Sequence, residues 1–420
     1  MAIGRRVRAS GARLFYRYFF RLLLVAASAA QWAMVAWVAS VGWGLSLPWW
    51  GHGLAVASLA ACNRALIVRR RPRGWAFRTY TAVAFVALFC SVFLLATAAV
   101  FLVGQGILGV LSAEALTAGG QASLNAGLDG VFRWVVSLGM TAIALTMGYG
   151  YLVGQRELQV TRVPLGVDGI AGGGRPLRVT QISDIHVGQN LTLEQLQDFV
   201  ERANATEPDL ICVTGDIADS PQVDCAAFFP ALAGLRARHG VCVILGNHDH
   251  YAGAEHVVAE LERWTDFRVL RDSAVTLEVA GARVHVVGLD DRGRDWARGV
   301  RADARLAELL DAAPPSTPVL LLAHRPDIFP HAAAAGVMLT LSGHTHGGQL
   351  AIPWRGRRRN LAEFVTPFSR GLYRSGDSHL YVNCGLGVTG QRIRLFTPRE
   401  ITVFELLPAS ATGAAGGVPA

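Results

Sequence analysis

Hydrophobic patterning divides this chain into two regimes. Through the first 155 residues apolar side chains run almost unbroken. A bilayer-crossing helix takes about 20 such residues. Stretches of that kind fall at 22–45, 80–104 and 131–153, with a shorter and less pure one at 50–68. The intervening 105–130, with Glu114, Gln121, Asn125 and Asp129, reads as a loop or surface helix. Residues 156–176 hold Pro164, Pro176 and AGGGRP, which is linker chemistry. From about residue 177 the pattern changes to short β-type apolar runs alternating with helical stretches: LRVTQIS, LTLEQLQDFVERANA, DLICVTG, then VCVILG. Further strand-like runs follow at 283–289, 318–323, 337–342, 379–384 and 400–406, which predicts an α/β domain over 177–407. Thr192 and Gln195 make a capping box for the first helix. The low-complexity tail, 408–420, is expected to be disordered.

Charge orients the apolar spans. All 39 basic residues are Arg, and the formal net charge is +8. The absence of Lys excludes a Schiff-base lysine and a P-loop lysine. Arg clusters at 5–21 and 69–78 flank the spans, whereas 105–130 has no Arg. Basic loops stay cytoplasmic, so the N-terminus is expected inside. Four spans would return the chain to the cytoplasm at Arg156, giving a multi-pass protein of the plasma (inner) membrane with a cytoplasmic catalytic domain. An odd count would reverse that face. No nucleic-acid module interleaves aromatic residues with Arg, so nucleic acid is not an expected partner. The six Cys show no CxxC spacing and read as buried thiols.

Five short segments of the second half concentrate metal-ligating side chains: SDIH (Asp184, His186), TGD (Asp216), GNHD (Asn247, His248, Asp249), AH (His324) and GHTH (His344, His346). Each follows a β-type run, at the carboxyl edge where open α/β sheets bind ligands. Imidazole, carboxylate and amide oxygen together suit Mn, Fe or Zn rather than Ca. The ligands suffice for two divalent transition-metal ions, which require a shared carboxylate. Asp216 is the natural bridge, because Gly215 before it permits close backbone approach. With two dications against Asp184 and Asp216 the site would be cationic, matching a phosphate ester.

The ordered set D-x-H, G-D, G-N-H-D, H and G-H-x-H over 177–407 resembles the calcineurin-like metallophosphoesterase superfamily. GHTHGGQ and YVNCGLG are similar to its YkuE/YaeI-like subfamily, which includes transmembrane proteins with a metallophosphoesterase domain. The resemblance implies a four-layer αββα sandwich of two mixed sheets, here preceded by an all-α module of about four transmembrane helices. It implies that Asp184, His186, Asp216 and His346 hold one metal, and Asp216, Asn247, His324 and His344 the other. His248 would stand over the phosphate as a catalytic group, with Asp249 orienting its imidazole, and a metal-bridging hydroxide would attack.

The expected activity is hydrolysis of phosphate mono- or diesters, with a lipid-linked substrate and membrane lipids as partners. Cleavage of a pyrophosphate bond in UDP-diacylglucosamine-type glycolipid precursors is an alternative that nothing in this sequence singles out. A non-catalytic membrane ligand sensor is the alternative of another class. His250, directly after GNHD, and Arg355 and Arg357, in the basic segment IPWRGRRRN, are candidate substrate-binding residues. That segment reads either as a solvated basic loop or as a membrane-facing rim that binds headgroups. Oligomeric state is not legible.

Overall fold

The computed structural model describes residues 2–68, 74–112, 117–170, 175–188, 190–221, 223–279, 282–291 and 304–408. The tail beyond 408 and residues 171–174 of the expected linker lie outside them. The chain divides into two compact units, Met1–Gly148 and Tyr149–Ala420.

The first unit is helical: α1 (Ala2–Trp43), α2 (Trp49–Val68), α3 (Trp75–Ser112) and most of α4 (Ala118–Leu152). Among the described residues, three segments are long and apolar enough to cross a membrane: Arg21–Val41, Trp75–Ser112 and Gly119–Arg156. The expected count was four. The helix over the second expected span, α2, carries His52, Asn63 and Arg64, which lower its apolarity. Its His52 and Asn63 are nevertheless paired. Asn63 donates to Ser28 Oγ and Gln31 Oε1 and accepts from Tyr80, while Trp32 donates to His52. The stretch 105–130 is also largely helical: α3 runs on to Ser112 and α4 begins at Ala118. It has no Pro to interrupt it.

The second unit has two six-stranded mixed sheets. One is ordered β1 (Leu158–Val167), β14 (Arg399–Pro408), β2 (Leu177–Ile182), β3 (Leu210–Thr214), β4 (Val241–Ile244), β5 (Arg268–Val269). The other is ordered β12 (Gly371–Ser375), β13 (Ser378–Val382), β9 (Leu339–Ser342), β8 (Val319–Leu322), β7 (Ala282–Gly288), β6 (Ser273–Val279). A separate hairpin pairs β10 (Ala351–Trp354) with β11 (Arg357–Asn360).

Period-two side-chain alternation builds the layers. In β3, Leu210 and Cys212 face β8 residues Leu320 and Leu322 across a core between the sheets. Ile211 and Val213 face the other way, onto α5 (Leu193–Asn204), α6 (Cys225–Leu232) and α8 (Ala254–Trp264) through Phe199, Phe229 and Leu261. Leu321 packs outward against α9 (Ala304–Asp311) and α10 (Phe329–Ala334). The result is the expected four-layer αββα sandwich. The Thr192–Gln195 capping box is formed at α5. Cys212 and Cys242 are free thiols, neighbours on β3 and β4, and burial pushes Cys242 up to about 11.

The segment read as a linker holds a strand. Residues 158–167 pair in parallel with β14, and Val163, Leu165 and Val167 point into the core. Pro164 faces outward on this edge strand, where its missing N–H breaks no ladder. IPWRGRRRN likewise forms the β10–β11 hairpin rather than a loop. Its turn is Arg355–Gly356, both at positive φ, which matches strand twist.

Candidate metal centre

The parallel strands β2, β3, β8 and β9 deliver the ligand loops from their carboxyl ends. Asp184 and His186 follow β2, Asp216 follows β3, His324 follows β8, and His344 and His346 follow β9. Asn247 and His248 open the short helix α7 (Asn247–Ala252) after β4. These turns are tight enough to force Asp184, His186, Asp216, His344 and His346 into positive φ, between 48° and 71°. L-residues adopt that region at a cost, and such strain gathers at functional sites. Gly215 stands at φ 88, and a Cβ there would lie 2.7 Å from the Gly246 nitrogen and 2.8 Å from His324 Nδ1. Gly343 lets Asp184 approach still more closely, since a Cβ there would collide with the Ser183 hydroxyl and the Asp184 carboxylate.

Two groups of ligand atoms converge, Asp184–His186–His346 and Asp216–His324–His344, each within 4.8 Å. His186 Nε2 is 3.1 Å from His346 Nε2, and Asp184 Oδ1 is 3.3 Å from the latter. In the second group His324 Nδ1 donates to the Thr214 carbonyl at 2.8 Å, which directs Nε2 inward, 3.1 Å from Asp216 Oδ2. The same Oδ2 lies 3.6 Å from His186 Nε2, so this single oxygen faces both groups. Asp216 Oδ1 is engaged separately, accepting the His248 backbone N–H at 2.8 Å.

The donor set fits transition-metal cations. Ligands about 2.0–2.2 Å from one ion stand roughly 3 Å apart, the spacing seen here. Asn247 Oδ1 is buried without a hydrogen-bond partner. Burial opposes charging His324, but Asp216 and Asp184 raise it to about 10. Burial, with His324 and Arg325 nearby, pushes His344 down to about 3, and burial with His186 lowers His346 well below the usual range. Burial also opposes ionising Asp216, yet His324, His186 and His248 hold it well below the usual carboxylate range. Asp184 is raised, chiefly by burial.

His248 borders a cleft of about 430 Å³ whose wall includes Asp216, Asn247, His344, His346 and Thr389. Its Nδ1 lies 3.1 Å from the Asp219 carbonyl oxygen, which leaves Nε2 for a ligand. The role expected for Asp249 is corrected. Its carboxylate accepts the backbone N–H groups of Ile217, Ala218 and Gly246, not the His248 imidazole. Successive residues of α7 point about 100° apart and cannot face each other. Burial and the nearby Asp216 raise Asp249 to about 6, against those three donors. The imidazole neighbour is Asp219, whose Oδ1 lies 3.3 Å from His186 Nδ1 and 3.6 Å from His248 Nδ1. Of the remaining candidates, His250 pairs with Asp290 at 2.8 Å. Arg355 lies over the Trp354 ring at the hairpin turn, and Arg357 stands opposite Trp354 on β11.

Sequence reasoning missed Asp219, Thr389, Gln349 and Arg394. Thr389 Oγ1 lies 3.1 Å from the Nε2 atoms of both His186 and His346. The fully buried Arg394 guanidinium donates to the carbonyls of Cys384, Gly385 and Gly387, and burial lowers it to about 10. That loop in turn donates from Leu386 and Gly387 to the carbonyls of Ser183 and Asp184. YVNCGLG was visible as a motif, but its service to Asp184 was not.

Residues 177–348 match the family of calcineurin-like phosphoesterases. The chain is 32% identical to the metallophosphoesterase YkuE of Bacillus subtilis over 321 residues, covering 72% of this chain and 95% of YkuE. It is 30% identical to the zebrafish (Danio rerio) transmembrane protein with metallophosphoesterase domain, over 65% of this chain and 63% of that protein. It is 28% identical to the Escherichia coli phosphodiesterase YaeI, over 63% of this chain and 95% of YaeI. With the ligand loops gathered at the carboxyl ends of strands from both sheets and a relative matched along nearly its whole length, the chain belongs to the calcineurin-like phosphoesterase family and is a metal-dependent phosphoesterase.

Proposed function

We propose that the protein is a membrane-anchored hydrolase of phosphate mono- or diesters, with a lipid-linked substrate, and that it uses two divalent transition-metal ions, Mn, Fe or Zn. The observation carrying the two-ion reading is Asp216 Oδ2, which faces His186 on one side and His324 on the other. Asp184, His186 and His346 would hold one ion, Asn247, His324 and His344 the other, with Asp216 shared. Such a pair supplies Lewis-acid stabilisation and acidifies the attacking water. His248 presents Nε2 to the cleft, placed to donate to a phosphoryl oxygen and to protonate the leaving oxygen. Asp219 orients His248 and His186 together. Asp249 does not touch substrate; it fixes the backbones that carry Asp216 and Asn247.

The apolar N-terminal helices support the lipid-linked preference, since they keep the enzyme among lipids. For topology we favour four spans and a cytoplasmic catalytic domain, in the plasma (inner) membrane. At 20 residues α2 is about 30 Å long, sufficient to cross. Its His52 and Asn63 are hydrogen-bonded to α1 and α3, which offsets the cost of placing them in hydrocarbon. A reporter fused after Ala420 reads the face directly, and a periplasmic signal would reverse this assignment.

The activity test uses the full chain in detergent. Bound metal and hydrolysis of bis(p-nitrophenyl) phosphate are measured, then a panel of lipid phosphates. The expected result is turnover that chelation abolishes and added Mn²⁺ restores, with Asp216→Ala losing both metal and activity. Metal-replete protein that hydrolyses no phosphate ester would leave a ligand sensor as the better reading.

A further inference from the structure

We infer that the β10–β11 hairpin and the 3₁₀ turn Leu361–Phe364 after it form a docking surface for an anionic lipid leaflet, beside the mouth of the catalytic cleft. The surface is apolar and basic together. Ile352, Trp354, Leu361, Phe364 and Val365 are all exposed, Phe364 at 89%. Water-exposed apolar side chains in one contiguous stretch mark an interaction site rather than ordinary surface. Cross-strand register pairs Ile352 with Arg359 and Trp354 with Arg357, so one hairpin face alternates apolar and cationic groups. Arg355 and Arg358 add two more charges, and Glu363 offsets one through Arg359 at 2.9 Å. Indole and guanidinium side by side suit the boundary between headgroups and acyl chains.

The projection is built in. Asn360 caps the turn by accepting from the Ala362 nitrogen at 3.0 Å and donates to Ser369 Oγ at 3.1 Å. Thr366 donates to Asp327 at 2.8 Å. Held at both ends, the segment lines the cleft through Ala362, Val365 and Thr366, while Leu361 and Phe364 point to solvent. A leaflet contacted by this face would bring headgroups to the cleft opening. The excess positive charge selects an anionic lipid surface over a protein partner or a second copy. The docking rests on the lipid-linked reading only for what then enters the cleft.

The test uses full-length protein in nanodiscs of phosphatidylcholine with or without phosphatidylglycerol. Exposed Cys62 is replaced by Ser, and an environment-sensitive fluorophore is attached at Phe364→Cys or, as control, at Glu262→Cys on α8. The expected result is a blue shift at Phe364→Cys that strengthens with phosphatidylglycerol, and none at Glu262→Cys. Arg357→Gln, opposite Trp354 on the docking face, should weaken the lipid dependence about fivefold, the share of one Arg near an anionic surface. Trp354→Ser and Phe364→Ser should slow hydrolysis of a vesicle-borne lipid phosphate and leave bis(p-nitrophenyl) phosphate turnover unchanged. A probe that stays aqueous in both discs overturns the docking, even with soluble-substrate activity intact. So does a blue shift that appears in detergent and grows with protein concentration, which would assign the face to self-association. Loss of soluble-substrate activity in the unmodified protein would sink the phosphoesterase reading instead.

Discussion

The side-chain amide of Gln349 clasps the backbone of Thr389, donating to its carbonyl at 2.9 Å and accepting from its N–H at 2.7 Å. This gives a physical reason for the glutamine in GHTHGGQ. Gln349 follows His346 closely in sequence and holds the segment that sets the Thr389 hydroxyl against His186 and His346. Gln349→Ala should lower kcat/KM for a soluble diester about tenfold, the worth of two ordinary hydrogen bonds. Gln349→Glu keeps the acceptor and loses the donor, and should fall between the two. Equal turnover in all three proteins would refute the clasp.

Asp219 stands behind two imidazoles, and its loss should show as two separable defects. Asp219→Ala should weaken metal affinity about 10–100-fold through His186, as partners of metal-bound histidine do. It should also lower kcat at saturating metal through His248. His248→Ala should cut kcat on the order of 10²–10⁴-fold while metal content stays unchanged. Metal titration followed by kinetics at saturation separates the effects. Were His248→Ala to lose its metal, His248 would be a ligand and the assignment of its role would fail.

The ligand loops were legible because each is a dipeptide-scale signal at the end of an apolar run: SDIH after β2, TGD after β3, GHTH after β9. Such local signals need no knowledge of distant pairing. What escaped depends on chain segments far apart in sequence. Strand β1 pairs with β14, some 240 residues away, so LQVTRVPLGV with its proline resembled a linker. Asp219 lies in a turn-like DSPQ and acquires its role only because His186 folds beside it. Asp249 misled for the opposite reason: adjacency to His248 in sequence suggested contact, but adjacency along a helix prevents it.

The left-handed ligands carry strain that can be measured without metal. His346 stands at φ 52, where a Cβ is disfavoured by about 1–2 kcal/mol relative to glycine. Replacing it removes the ligand whichever residue follows. In chelator, His346→Gly should therefore unfold at higher urea than His346→Ala, by about 1 kcal/mol. The same ordering is expected at His186, at φ 48. If Ala proves the more stable at both positions, the turns relax once the imidazole is gone and the ligands themselves impose the geometry.

A second carboxylate, remote from the metal centre, should govern acid stability. Asp209 is buried and accepts from Arg175 through both oxygens, at 2.6 and 2.9 Å, and from the Arg178 N–H at 3.0 Å. Burial opposes its charge, but Arg175, the Arg178 amide and Arg238 outweigh that and hold it below the usual range. A carboxylate depressed in the fold contributes stability that is complete above its unfolded value, about 3.9, and disappears as pH falls through its folded value. Asp209→Asn should then cost about 1–3 kcal/mol at neutral pH, since it removes the charge that strengthens the hydrogen bonds the buried carboxylate accepts from Arg175 and the Arg178 N–H. The gap between variant and parent should narrow as pH drops below about 4. Urea unfolding of both proteins across pH is the measurement, and a gap that stays constant into acid would show that charge at Asp209 contributes nothing to the fold.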